Sequence, residues 1–266
     1  MSPEAALLAF AEQAVAMADP GRPVVIGLCG SQGSGKSTLS ARVAAAIAGT
    51  AVLSLDDLYL TRAERQRLAT RVHPLFATRG VPGTHDVDLG LATLDALIAG
   101  RHVALPRFDK ARDDRTPESD WPVVGPARLI LFEGWCVGAR ALPDAPLVEP
   151  INALERDEDA GGHWRQTWNA ALAGDYQRLF ARLDRLALLA APAWETVFGW
   201  RLQQEHALRA AGGTGPGAMD DAGVARFISH YERLTRHILN EMPERADLCL
   251  RLAPDRSLAG RPLTHQ

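Results

Sequence analysis

The chain has 266 residues, 47% of them hydrophobic, and a formal net charge of −3 at pH 7. That length suits one large α/β domain or two small ones with a sizeable core, and the charge gives no global pull toward nucleic acid or an anionic membrane. Cys29, Cys136 and Cys249 are its only cysteines and form neither a C-x-x-C pair nor a zinc spacing, so buried free thiols in a reducing compartment are expected. Glu4 and Glu12 and the lack of a basic n-region argue against a signal peptide. No apolar stretch approaches the ~20 residues that span a bilayer, and a cytoplasmic location is expected.

Residues 4–18 place Leu7, Leu8, Ala11, Val15 and Ala18 on one helical face, and Pro20-Gly21 stops that helix. Residues 24–29 form a short β-branched run, as a buried strand does. Then come Gly30, Ser31, Gln32, Gly33, Ser34, Gly35, Lys36, Ser37 and Thr38, which fit G-x-x-x-x-G-K-[ST]. Glycines let the backbone curl so that successive N–H groups face one anion. In this pattern the lysine reaches the β- and γ-phosphates and the hydroxyl after it sits on Mg²⁺. Leu39, Val43 and Ile47 recur every four residues, so a helix opens inside the motif. Strand, loop and helix in that order imply a nucleoside-triphosphate site.

Residues 51–55 read as a second strand ending in Asp56-Asp57. Carboxylates at the C-terminal end of such a strand face the ligand crevice. Asp56, ahead of Asp57, is a candidate general base or a Mg²⁺ holder through water, against the alternative of a helix cap. A charged helix over 61–70 precedes an irregular stretch, 71–86, that ends in Gly83-Thr84-His85-Asp86. Its length and polar end suggest a functional loop, in which Asp86 is either a site residue or, like Asp88, a cap for the helix over 89–98. A strand over 102–105 leads into a basic cluster with Arg107, Lys110, Arg112 and Arg115. Such a cluster can grip phosphate or carboxylate, or lie neutralised by its interleaved acids.

Residues 128–132 form a clear strand ending in Glu133, the position from which an acid serves Mg²⁺ in nucleotide sites. Prolines 143, 146 and 150 mark an extended connection. The charged, glycine-bearing stretch near 150–165 is a candidate lid or a passive surface loop. One long helix is expected over 164–183, a strand over 186–189, a helix over 194–210, a flexible loop over 212–217 and an amphipathic helix over 219–242. Residues 246–252 then close the sheet. Strands alternating with helices predict a single α/β domain over 1–266, a P-loop NTPase fold with a mostly parallel sheet covered on both faces.

The tetrad N-K-x-D, expected for guanine, is absent. A small-molecule kinase needs an acid near the acceptor hydroxyl, Mg²⁺ ligands and basic residues that clamp the transferred phosphoryl. Asp56, Ser37 with Glu133, and the basic cluster led by Arg107 supply that set.

Four segments carry a resemblance. They are Ser54-Leu55-Asp56-Asp57-Leu58-Tyr59-Leu60, Gly80-Val81-Pro82-Gly83-Thr84-His85-Asp86, Pro106-Arg107-Phe108-Asp109-Lys110, and Glu133-Gly134-Trp135-Cys136-Val137-Gly138. The chain resembles the D-glycerate 3-kinase family, near pantothenate kinase, uridine kinase and phosphoribulokinase, from about residue 24 to 252. The resemblance implies transfer of the γ-phosphoryl group from ATP to D-glycerate, giving 3-phosphoglycerate. It implies Asp56 as base, Lys36 on phosphate charge, and Ser37 and Glu133 on Mg²⁺. Arg107, Lys110 and His85 become candidates for the acceptor carboxylate, with Asp86 beside them. Another small hydroxylated acceptor, pantothenate- or uridine-like, or a nucleotide-binding regulator without turnover, is the alternative. A monomer or homodimer acting on a small molecule, with no nucleic-acid or membrane partner, is expected.

Overall fold

The structure is a computed structural model and describes residues 1–210 and 219–264; the loop expected at 212–217 lies outside them. Helix α1 (Pro3–Ala16) begins with proline behind Ser2, whose side chain accepts the Ala5 N–H. Strand β1 (Val24–Gly30) is buried along its whole length. Helix α2 (Lys36–Ala46) follows, then β2 (Thr50–Ser54) and a 3₁₀ turn over Leu55–Leu58. Helix α3 (Arg62–Arg71) opens with a capping box between Thr61 and Glu64, and α4 (Val87–Ile98) with Asp86 as its cap.

Four two-residue strands come next: β3 (Val103–Ala104), β4 (Phe108–Asp109), β5 (Asp114–Arg115) and β6 (Val123–Val124). β3 pairs with β6 and β4 with β5, apart from the main sheet. The remaining elements are β7 (Leu129–Gly134), α5 (Ala153–Glu158), α6 (His163–Ala173), α7 (Asp175–Phe180), β8 (Arg185–Ala190), α8 (Trp194–Ala210), α9 (Asp221–Glu241), β9 (Leu248–Arg251) and β10 (Leu263–Thr264).

The main sheet runs β10-β9-β8-β1-β7-β2, parallel throughout except for the antiparallel edge strand β10. Buried on both faces, its central strands read as continuous apolar runs, as parallel strands do. The register sets Glu133 level with Leu28 on one side and Ser54 on the other. The phosphate-loop residues, Asp56 and Glu133 therefore leave three adjacent strands at the same end of the sheet. Ligands bind at this end in open α/β sheets.

Two expectations change. The helix expected over 164–183 breaks at Gly174 into α6 and α7, where Gly174 takes φ −100° and ψ −101°. The sheet closes with β10 rather than β9. The stretch near 150–165, a candidate lid or passive surface loop, carries two buried ion pairs. Within it the Asp159–Arg165 pair, 2.9 Å apart, and the Glu155–Arg233 pair, 2.5 Å apart, are almost wholly buried. Breaking either would leave an uncompensated buried charge, at a cost of about 3–5 kcal/mol. All three cysteines are free and buried, and no helix among the described residues is long and apolar enough to cross a membrane.

Candidate active site

The phosphate loop is an anion cradle made of backbone. Gly33 and Gly35 take φ of +77° and +90°, values that favour glycine. Gly30 has no room for a side chain, since a Cβ there would lie 2.7 Å from Ser34 Oγ. Helix α2 begins at Lys36 with no side-chain cap, leaving its first N–H groups for a ligand. Ser31 Oγ, Gln32 Oε1 and Ser34 Oγ are buried without a hydrogen-bond partner. Buried polar groups are ordinarily paired, so these orphans, together with the uncapped helix, fit a triphosphate. From outside, Trp200 on α8 packs against Gly33, and Arg256 donates to the Gly33 carbonyl at 2.6 Å.

Ser37 Oγ donates to Glu133 Oε1 at 2.9 Å, while Glu133 Oε2 is buried and unpartnered. This hydroxyl–carboxylate pair at the mouth of the loop fits Mg²⁺. That ion takes one or two protein oxygens and completes its shell with phosphates and water. No cluster of three or more His, Cys, Asp or Glu suited to a metal occurs among the described residues, so the site does not resemble an all-protein cage.

A cavity of about 590 Å³ joins this loop to a second wall. Gln32, Gly33, Lys36 and Ser37 line one side; Asp56, Tyr59, Arg79, Lys110, Trp135 and Tyr231 line the other. Arg201 and Gln204 of α8 and Phe227 of α9 also border it. Asp56 is among the residues that line it. Its Oδ2 receives Lys110 Nζ at 2.6 Å and its Oδ1 the Tyr59 hydroxyl at 2.9 Å. Burial drives the Asp56 carboxyl up, but the Lys110 and Lys36 ammonium groups and these two hydrogen bonds outweigh it. The carboxyl is held well below the usual range. Asp56 in turn raises Lys110, against the opposite pull of burial. The pair is ionised at neutral pH.

The two motifs around Asp56 and His85 are joined main chain to main chain. Leu60 N donates to the Thr84 carbonyl at 2.9 Å and Asp86 N to the Leu58 carbonyl at 2.7 Å. His85 stacks on Tyr59 with ring centroids 4.5 Å apart, and its Nδ1 meets the Tyr176 hydroxyl at 2.6 Å. Burial pushes His85 down to about 3, so at neutral pH it is an uncharged prop behind Tyr59. It is not the cation expected for a carboxylate.

Two other expected residues also lie off the cavity wall. Asp86 caps α4 through the Leu89 N–H at 3.0 Å and meets Arg115 at 3.2 Å, which accounts for it structurally. Arg107 pairs with Asp57 at 3.2 Å and donates to its neighbour's carbonyl, fixing the loop that carries Lys110. Arg79 and Arg201 do line the cavity, and sequence reasoning singled out neither. Arg79 directly precedes the Gly80 motif, and that adjacency was the available signal.

A phosphate loop after the first strand, an acid on the next strand over and a second acid lining the same cavity define a P-loop kinase, a transferase. The comparisons agree. No family model matches the chain. The chain is 36% identical over 225 residues to the uncharacterized kinase mug58 of Schizosaccharomyces pombe, covering 79% of each. It is 34% identical over 225 residues to the chloroplastic D-glycerate 3-kinase of Arabidopsis thaliana, covering 79% of this chain and 46% of that protein. Among solved structures, D-glycerate 3-kinase from Cryptococcus neoformans shares the fold with a TM-score of 0.75 at 24% identity, covering 98% and 97% of the two chains. The chain belongs to the D-glycerate 3-kinase family.

Proposed function

We propose that the protein transfers the γ-phosphoryl group of ATP to a hydroxyl of a small hydroxy acid, with D-glycerate giving 3-phosphoglycerate. The observation that carries this reading is Asp56, held ionised in the same cavity as Lys36 and Ser37. The acceptor oxygen forms the bond to the γ-phosphorus, the bond from that phosphorus to the β–γ bridging oxygen breaks, and the hydroxyl proton passes to Asp56. A carboxylate so well stabilised is a weak base in the ground state. Phosphoryl transfer tolerates this, because its loose transition state leaves proton removal late and asks chiefly for orientation. Asp56 orients the hydroxyl through Oδ1 or Oδ2, and Tyr59 and Lys110 orient Asp56.

Lys36 and the loop N–H groups neutralise charge on the phosphates. Ser37 and Glu133 would hold Mg²⁺, which supplies further neutralisation of the same phosphates. A single domain over 1–266, which the order of strands and helices leads one to expect, would place both halves of the site in one unit.

The test is ADP formation with D-glycerate, pantothenate, uridine and ribulose 5-phosphate, each against a no-acceptor control. D-glycerate is expected to raise the rate most. A higher rate with one of the others reassigns the acceptor, and no rise with any of them favours a regulator. Asp56→Asn is expected to bind ATP within about threefold of wild type while losing roughly 10²- to 10⁴-fold in acceptor-dependent turnover. Wild-type-like turnover in that variant removes Asp56 as base.

A further inference from the structure

Among the described residues, four cations line the cavity: Lys36, Arg79, Lys110 and Arg201. Lys36 belongs to the phosphate loop. Lys110 is engaged by Asp56 at 2.6 Å. Arg201 borders the cavity from α8 and is held by Glu205 at 2.8 Å. Arg79 is the cation of the acceptor wall that Asp56 does not engage. Its side chain is 22% exposed.

The fold fixes Arg79 from several sides. Tyr231 donates its hydroxyl to the Arg79 carbonyl at 3.0 Å, and Trp135 Nε1 donates to the next carbonyl, that of Gly80, at 2.9 Å. Thr84 closes the turn, accepting from Gly80 N at 3.0 Å and donating to the Val81 carbonyl at 2.7 Å. Gly80 itself sits at φ +139°, where a Cβ would lie 2.0 Å from the Tyr231 oxygen. The guanidinium lies 5.6 Å from the Phe108 ring centroid. Its Nη1 meets Asp113, the same carboxylate that receives buried Arg65 at 2.6 Å.

One carboxylate thus serves two guanidiniums. Nearby Asp114 is taken up by the N–H groups of Arg62 and Arg115, at 3.1 and 2.9 Å. A side chain held this firmly by backbone, ring and acid needs little ordering when a ligand arrives, and a guanidinium fork matches a carboxylate geometrically.

We propose that Arg79 is the specificity-determining residue of the acceptor site. It grips the carboxylate of a small hydroxy acid and so presents that molecule's hydroxyl to Asp56. This rests on the kinase reading above and deepens it. The acceptor class is anionic, and its charge is read by Arg79 rather than by Arg107 or His85.

The test compares D-glycerate with glycerol, which keeps the hydroxyls and lacks the carboxylate, in wild type, Arg79→Gln and Arg79→Lys. Wild type is expected to prefer glycerate. Arg79→Gln should raise the KM for glycerate by about 10- to 100-fold, the loss of one charge-assisted contact, while the KM for ATP moves less than about threefold. The glycerate-over-glycerol preference should collapse with it. Arg79→Lys restores the charge without the fork and should recover part of the loss, and it remains informative if the glutamine variant folds poorly. Thermal shift by D-glycerate in the presence of ADP and Mg²⁺ gives a second readout independent of turnover. An unchanged glycerate KM in Arg79→Gln, or a wild type that phosphorylates only neutral acceptors, overturns the Arg79 assignment and leaves the kinase reading standing. A wild type that phosphorylates no acceptor and is not shifted by any carboxylate overturns both.

Discussion

The two walls of the cavity are built by opposite means. The donor wall comes from one continuous stretch, Gly30 to Thr38, of which Gln32, Gly33, Lys36 and Ser37 line the cavity. The acceptor wall draws Asp56, Tyr59, Arg79, Lys110, Trp135 and Tyr231 from separate turns and helices, and its work is done by side chains. Backbone chemistry needs a fixed local conformation, so its requirements are written as glycine spacing. Side-chain chemistry needs partners brought from a distance, and each charge on that wall is held by another charge or hydroxyl. On the proposed function, the donor wall would suit any nucleotide-dependent reaction, while the acceptor wall would select which one.

Changes on the donor wall should affect every acceptor alike. Lys36→Met removes a cation from developing phosphate charge and is expected to lower kcat by about 10²- to 10³-fold with every acceptor. The measurement is kcat across the acceptor panel, and a loss confined to one acceptor would show that Lys36 serves the other wall.

A pair of glycine substitutions makes the comparison sharper. At Gly33, φ +77°, an added Cβ would lie 2.5 Å from Trp200 Cβ. At Gly80, φ +139°, the corresponding clash is with Tyr231 Oη. Both backbones lie in the region that favours glycine, and each alanine should cost about 1–3 kcal/mol of stability. Their kinetic signatures should part. Gly33→Ala is expected to raise the KM for ATP by roughly tenfold or more and leave acceptor KM within about threefold. Gly80→Ala should do the reverse, because it displaces Arg79. Initial-rate kinetics with both substrates varied measures the split. Equal effects on both KM values from either variant would mean that the two walls move as one.

This contrast also sets what sequence reading could reach. The sheet, the phosphate loop and the acids ending β2 and β7 follow from local pattern. Apolar runs punctuated by glycine and acid identify a strand end without knowledge of its neighbours. Asp56 and Lys110 were both reachable as candidates, but their 2.6 Å pairing was not, since 54 residues separate them. Arg79 had only its adjacency to the Gly80 motif as a signal, because its position is fixed by Tyr231, 152 residues further on. The stretch near 150–165 lacks an apolar period and so reads as a lid or a passive surface loop, and its buried pairs with Arg165 and Arg233 are beyond local pattern. His85 looked cationic because residue type suggests charge, whereas burial behind Tyr59 removes it.

Arg107 gives the smallest effect and the finest discrimination. It stands in the Pro106-Arg107-Phe108-Asp109-Lys110 motif, yet its guanidinium, 36% exposed, turns to Asp57 and does not line the cavity. Burial raises the Asp57 carboxyl, the Phe108 N–H and Arg107 pull it back down, and Asp56 adds to the rise. Removing Arg107 should therefore push Asp57 higher still, while the Phe108 N–H at 3.0 Å keeps the loop in register. A half-exposed pair of this kind contributes about 0.2–1 kcal/mol. Arg107→Gln is accordingly expected to lower stability by that amount, measured by denaturant unfolding, and to change kcat by less than about threefold. A loss of 100-fold in kcat with stability intact would instead mean that Arg107 swings into the cavity when substrates bind. It would then act as the phosphoryl clamp that its motif suggests, and the acceptor wall would be completed only in the closed complex.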